Sequence, residues 1–335
     1  MVKSTEEIQE RSTLLHQQSI VVDMMNASVI PDEGREETYL QEMIKSGVTA
    51  LNMCIAISDN FRQAIKKIGR WYAFIEKYSD VLTLGRRSSD IVRAKKEGKI
   101  AILFSFQNTT AIENDLSFLQ IFKELGVTTM QVTYNERNLS GDGCGERTDC
   151  GLSDFGVEVV KEMNRRGIMI DLSHVGRTTT SDVLEFTEAP VIYTHTASYT
   201  LNPHTRNKTD EELRRVAATG GIVGVLSLGT FLKDKPESKI TIEDFLDHVD
   251  HFRKTIGVDN IGFGLDLTEN SKATDYPVHK GHVSSGWPWP YAKGLEMVSD
   301  IPNITKGLIS RNYSEEEIQK ILGGNFLRVY SKVVG

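Results

Sequence analysis

The chain has 335 residues, 39% of them hydrophobic and 25% charged, ordinary proportions for a folded protein with a sizeable core. Its formal net charge is −7, from 39 basic and 46 acidic residues scattered along the chain, which argues against nucleic acid or an acidic membrane as partner. Three cysteines, Cys54, Cys144 and Cys150, are too few and too odd in number for a disulfide framework; with a polar start through Gln18 and no apolar run long enough to span a bilayer, the expected location is the cytoplasm.

Short β-branched apolar runs alternate with longer amphipathic stretches. In chain order the runs are Ser19–Asp23, Val48–Ile55, those ending at Phe106, Thr133, Ser173 and Thr194, one opening at Gly220, and one ending at Asp266. Each is continuously apolar rather than alternating, as a strand buried on both faces requires. Between them, FGVEVVKEMNRRG places Val157, Val160 and Met163 on one helix face and stops at Gly167. TDEELRRVAATGG carries an N-cap and early acids, Thr209 through Glu212, and closes at Gly220. Strand–helix alternation repeated eight times implies a single (β/α)8 TIM-type barrel over residues 1–335. The competing open doubly wound sheet lacks a G-x-G-x-x-G after its first strand. Residues 270–291, rich in Trp and Pro and without periodicity, follow the last strand; a lid or substrate-facing loop, a dimer contact and plain packing all suit them.

Polar residues recur where the strands stop: Asp23, Gln107, Tyr134, His174, His195 and Asp266. In a barrel these positions converge on one mouth, and desolvating so many polar groups together is costly unless they serve a shared site. His174 and His195 converging with a carboxylate make a zinc half-site, and a metal there would polarise a carbonyl and acidify water. Asp266 can take the proton from that water. Arg206 can hold a substrate carboxylate bidentately; its plainer alternative is a surface or helix-entry arginine.

DLSHVG at Asp171–Gly176, APVIYTHTASY around His195, PHTRNKTDEEL at Pro203–Leu213, GFGLD at Gly262–Asp266 and GGNFLRV at Gly323–Val329 together resemble the membrane dipeptidase family, also called renal dipeptidases or peptidase family M19. The resemblance runs from IVVD at Ile20 to the final helix and implies a zinc-dependent dipeptidase on a metallo-dependent, amidohydrolase-like barrel, with two zinc ions and a homodimer typical of the family. It carries His174 and His195 over as ligands of the second metal, Arg206 as the carboxylate-binding arginine, and Asp266 as the aspartate near the water and the substrate amine.

The departures are specific. Where the family's first strand ends in His-x-Asp, this chain has Met25 and Ala27; the bridging glutamate is Gln107, and the histidine after the fourth strand is Tyr134. A thioether and a methyl group cannot hold zinc against water, and a neutral amide is a poor bridge between two dications. One zinc ion is therefore the expectation, on His174 and His195 with Asp266, Cys144 or Glu146 as third ligand. Tyr134 is expected to donate to an oxyanion and Gln107 to contact substrate. Three readings remain: a hydrolase of an amide bond in a small carboxylate-bearing substrate such as a dipeptide, a metal-free acid–base enzyme, and a non-catalytic barrel that binds a small ligand.

Overall fold

The computed structural model of the chain describes residues 5–28, 36–234, 239–268 and 291–335. Its strands are β1 (Val22–Asn26), β2 (Ala50–Ala56), β3 (Leu82–Leu84), β4 (Ile100–Phe106), β5 (Val127–Gln131), β6 (Met169–Asp171), β7 (Tyr193–Thr196), β8 (Val223–Val225) and β9 (Ile261–Phe263). The strand pairs are parallel, in two stretches ordered β1-β2-β4-β5-β6 and β7-β8-β9. Two seams join them. At the first, Leu172 N–H donates to Ile192 O (2.8 Å) and Ile192 N–H to Ile170 O (3.0 Å). At the second, Asp266 N–H donates to Met25 O and Ala27 N–H to Leu267 O, both 2.9 Å. Eight strands thereby close on themselves as the expected barrel, wrapped by helices.

The strand residues are buried almost without exception, as the continuous apolar runs require. The first ladder begins and ends three residues later than expected, so Met24 and Met25 are strand residues. Asp23 can lie inside it because its carboxylate accepts the backbone N–H groups of Leu265 (2.9 Å) and Met25 (3.3 Å). β3 was not expected. Its three residues pair with Ile100–Ile102, on the same edge of β4 that β5 occupies higher up at Phe104–Phe106.

The helix Asp154–Arg166 starts at Ser153, whose hydroxyl accepts from Gly156 N–H, and ends at Gly167. Its buried face is Gly156, Val159, Val160 and Met163, whereas Val157 is half-buried, one step off the stripe. The helix Asp210–Ala218 has the expected Thr209 cap, closed reciprocally by Glu212. The final helix, Asn325–Val333, follows a π turn over Lys320–Gly324. Gly323 lets that turn approach the barrel: a Cβ there would lie 2.5 Å from Ile20 O. Asn325 then donates its side-chain N–H groups to Val258 O and Ile261 O at the start of β9. Nearly all of the 270–291 segment lies outside the described residues. Among the described residues no helix is long and apolar enough to cross a membrane.

Candidate active site

Two imidazoles meet at the C-terminal mouth. His174, after β6, and His195, within β7, bring their Nε2 atoms to 2.9 Å. Each ring is held from behind. His174 Nδ1 lies 2.7 Å from Asn135 Oδ1, an acceptor, and so carries the proton. His195 Nδ1 lies 2.7 Å from the Thr194 hydroxyl, which donates to Asp171 Oδ2 at 2.6 Å. The Asp171 carboxylate also accepts Ser173 O–H (2.6 Å) and the backbone N–H groups of Ser173 and Thr194 (both 3.0 Å). Burial pushes Asp171 up, and these donors pull it back. Burial, with Arg206 and Lys208 nearby, holds His195 well below the ordinary histidine range, so the ring is neutral near pH 7.

Where both rings carry their protons on Nδ1, both Nε2 atoms present lone pairs; with the proton on one Nε2, that N–H donates to the other ring. Two acceptors at 2.9 Å repel each other unless a cation, a proton or a metal ion, sits against them. Imidazoles whose far nitrogens donate to oxygen are the usual ligands of a metal ion, so this pair fits one. Among the described residues, however, no three His, Cys, Asp or Glu side chains form a group able to hold a metal. The three sequence candidates for a third ligand divide. Asp266 comes nearest, with Oδ2 4.0 Å from His195 Nε2. Cys144 hangs beside the pair, its N–H on His174 O (2.8 Å) and its thiol on Asn135 Oδ1 (3.5 Å). Glu146 is turned to its own loop, accepting Arg137 N–H at 2.7 Å.

Where a first metal would sit, the chain is packed with other groups. Met25 is wholly buried, Ala27 nearly so, and Gln107 Nε2 donates weakly to Met25 Sδ at 3.4 Å. The Gln107 Oε1 atom is buried without a hydrogen-bond partner among the described residues. These side chains do not fit a metal: neither the thioether nor the amide carries charge, and the methyl carries no lone pair.

Asp266 stands in a left-handed backbone conformation (φ 58°), sparsely populated by non-glycine residues and often found at functional positions. Burial, with Asp23 and Asp171 nearby, pushes its carboxyl up to about 7 against the pull of Arg206. Tyr134 stacks on His174, ring centroids 4.2 Å apart, and burial raises its phenol. Beside it opens a cavity of about 450 Å³ lined by Asn108, Thr109, Glu113, Tyr134, Glu136 and Arg137 among others. Arg206 is not a surface residue: at 2% exposure it donates Nη1–H to Ser173 O and Nη2–H (2.7 Å) to His195 O, while its Nε–H has no hydrogen-bond partner among the described residues. Lys208, equally buried, donates to Val175 O at 2.8 Å and lies over the Tyr193 ring.

Sequence reasoning passed over Asn135, Asp171, Ser173 and Thr194, which hold the two rings. The signal available was the hydroxyl or acid placed just before each histidine, in DLSH and YTHT.

A closed parallel barrel with an ionisable cluster at its C-terminal mouth is the architecture of the metallo-dependent hydrolases. The family model for membrane dipeptidase (peptidase family M19) matches residues 10–276 and 282–334, and the chain belongs to that family. Dipeptidase tcpJ of Claviceps purpurea is 33% identical over 276 residues, covering 82% of this chain and 60% of that protein. An uncharacterized dipeptidase of Schizosaccharomyces pombe is 33% identical over 277 residues, covering 81% and 62%. The chain thus spans about three-fifths of the length of these relatives. Among solved structures, an amidohydrolase from Pseudomonas aeruginosa superposes with a TM-score of 0.89 at 36% identity, covering 97% of this chain and 99% of that one. The dipeptidase AC, an M19 metallopeptidase, shares the fold at a TM-score of 0.83 and 21% identity, covering 95% and 99%.

Proposed function

We propose that the protein is a dipeptidase-like hydrolase that cleaves an amide bond in a small carboxylate-bearing substrate, a dipeptide or a related C–N compound, at a metal site reduced to one zinc ion. The observation that carries this reading is the His174–His195 pair: two Nε2 atoms at 2.9 Å, each ring held at Nδ1, beside a first-metal position filled by Met25, Ala27 and Gln107. His174 and His195 would hold the ion, with Asp266 the nearest further donor. When bound, zinc supplies Lewis acidity toward the amide carbonyl and toward water.

The chain's own groups do the rest. Asp266, with its carboxyl near 7, takes the proton of the attacking water and delivers it to the departing nitrogen. The Tyr134 hydroxyl, kept protonated by burial, donates to the oxyanion that develops from the carbonyl. Arg206 supports the carbonyls of Ser173, after β6, and of His195, within β7, and offers its Nε–H to an anionic substrate group. Gln107 offers its Oε1 to a substrate N–H.

A second reading, a metal-free acid–base enzyme, draws on the lack of a three-donor cluster among the described residues and on the same Asp266. Elemental analysis of protein purified without chelators or a metal-affinity tag separates the two. One zinc per chain, lost in His174→Ala, supports the hydrolase. A metal-free parent that still turns substrate over supports the second reading. Two ions per chain would contradict both.

A further inference from the structure

The hydrogen bonds behind His195 form a directed chain. Asp171, wholly buried, receives four donors; as a carboxylate it can only accept, and at 2.6 Å its Oδ2 draws the single Thr194 hydroxyl proton more strongly than the neutral Ser173 hydroxyl at 3.1 Å. The Thr194 oxygen is then left as an acceptor facing His195 Nδ1 at 2.7 Å. Ser173 braces the arrangement, its hydroxyl on Asp171 Oδ1 and its oxygen accepting His195 N–H at 3.1 Å.

We infer that Asp171, acting through the Thr194 hydroxyl, is the positioning residue that fixes His195 as its Nδ1–H tautomer and aims a bare Nε2 at His174. The inference deepens the proposed function, since a cation clamp requires that lone pair. A neutral imidazole is equally able to carry its proton on Nε2; an N–H there would point at His174 and abolish the clamp. The direction of one hydroxyl therefore decides whether the mouth presents two donors or one.

The test is long-range ¹H–¹⁵N correlation NMR on ¹⁵N-histidine protein stripped with a chelator, His195 being assigned by the signal lost in His195→Gln. In the parent, His195 should read as Nδ1–H. Thr194→Val removes the hydroxyl at nearly constant shape and should leave mixed tautomers; Thr194→Ser should restore the parent state. Asp171→Asn gives the opposite sign: its amide donates where the carboxylate accepted, so the hydroxyl turns to donate to Nδ1 and His195 becomes Nε2–H. Zinc affinity, by competition with a chromophoric chelator, should fall about 10–100-fold in Thr194→Val and return in Thr194→Ser. A folded Thr194→Val or Asp171→Asn variant that keeps His195 wholly Nδ1–H overturns the inference, and if neither folds, Thr194→Ser losing the tautomer does so. Zinc failing to bind the parent counts against the metal reading of the site, while the tautomer signal still decides the relay.

Discussion

Asp23 and Asp171 are carboxylates sealed inside the barrel and Asp266 stands partly exposed at its mouth, and desolvation pushes each above its ordinary value. Asp23 has the plainest consequence, because it meets backbone N–H groups and the Asn26 amide rather than a cation. Its carboxyl is raised from 3.8 to about 7, so between those values the folded chain holds a proton that the unfolded chain has released. That contribution to stability is complete below about pH 4 and is lost as pH rises through about 7. Each pH unit in the window is worth about 1.4 kcal/mol at most. Urea midpoints of the parent, relative to those of Asp23→Asn, should accordingly fall between pH 5 and pH 7.5 and level off above. A parent-minus-variant difference flat across that range would mean the carboxylate is stabilised in place.

At the scale of the element, the loop from Tyr134 to Cys144 does most to shape the mouth, and a glycine sets its path. A Cβ on Gly143 would lie 2.2 Å from Asn135 C and 2.3 Å from Asn135 O, backbone atoms that cannot step aside without moving the residue that holds His174. Gly143→Ala should therefore weaken zinc binding or turnover at least ten-fold while lowering the melting temperature by a few degrees; unchanged binding would show that the loop does not set the ring. None of this was legible in GDGCGER, where Cys144 and Glu146 drew notice as donors. The helix after Thr209 was legible because its cap is local, Thr209 and Glu212 being satisfied within one turn, whereas for Asp154–Arg166 the Ser153 cap went unread and Val157 falls off the buried stripe. β3 went unread because three residues between two helices carry no period, and its partner on β4 is fixed by the fold. The histidines were legible from strand ends and family motifs, whereas Asn135 and Thr194 gain meaning only from who stands beside them.

For the molecule as a whole, the C-terminal helix acts as a clasp beneath the barrel. Asn325 reaches the carbonyls of both Val258 and Ile261, and Arg328 those of Gly220 and Asp259. Asn325→Ala strands two carbonyls at the start of β9 and should cost about 1–3 kcal/mol in denaturant unfolding. A loss within 0.5 kcal/mol would mean that water or a backbone shift takes the place of the amide.

Both seams of the barrel carry an aspartate at or near a strand end that accepts a backbone N–H from across the gap: Asp171 takes Thr194 N–H, and Asp23 takes Leu265 N–H. The same Asp171 steers His195, and the second seam leads directly into Asp266. The candidate site is therefore built on the two places where the cylinder is least continuous. A cation held between His174 and His195, as proposed, would also brace the first seam, so that occupancy of the site and integrity of the barrel would be two readings of one equilibrium. In such a chain, loss of the ion would loosen the cylinder first at its mouth.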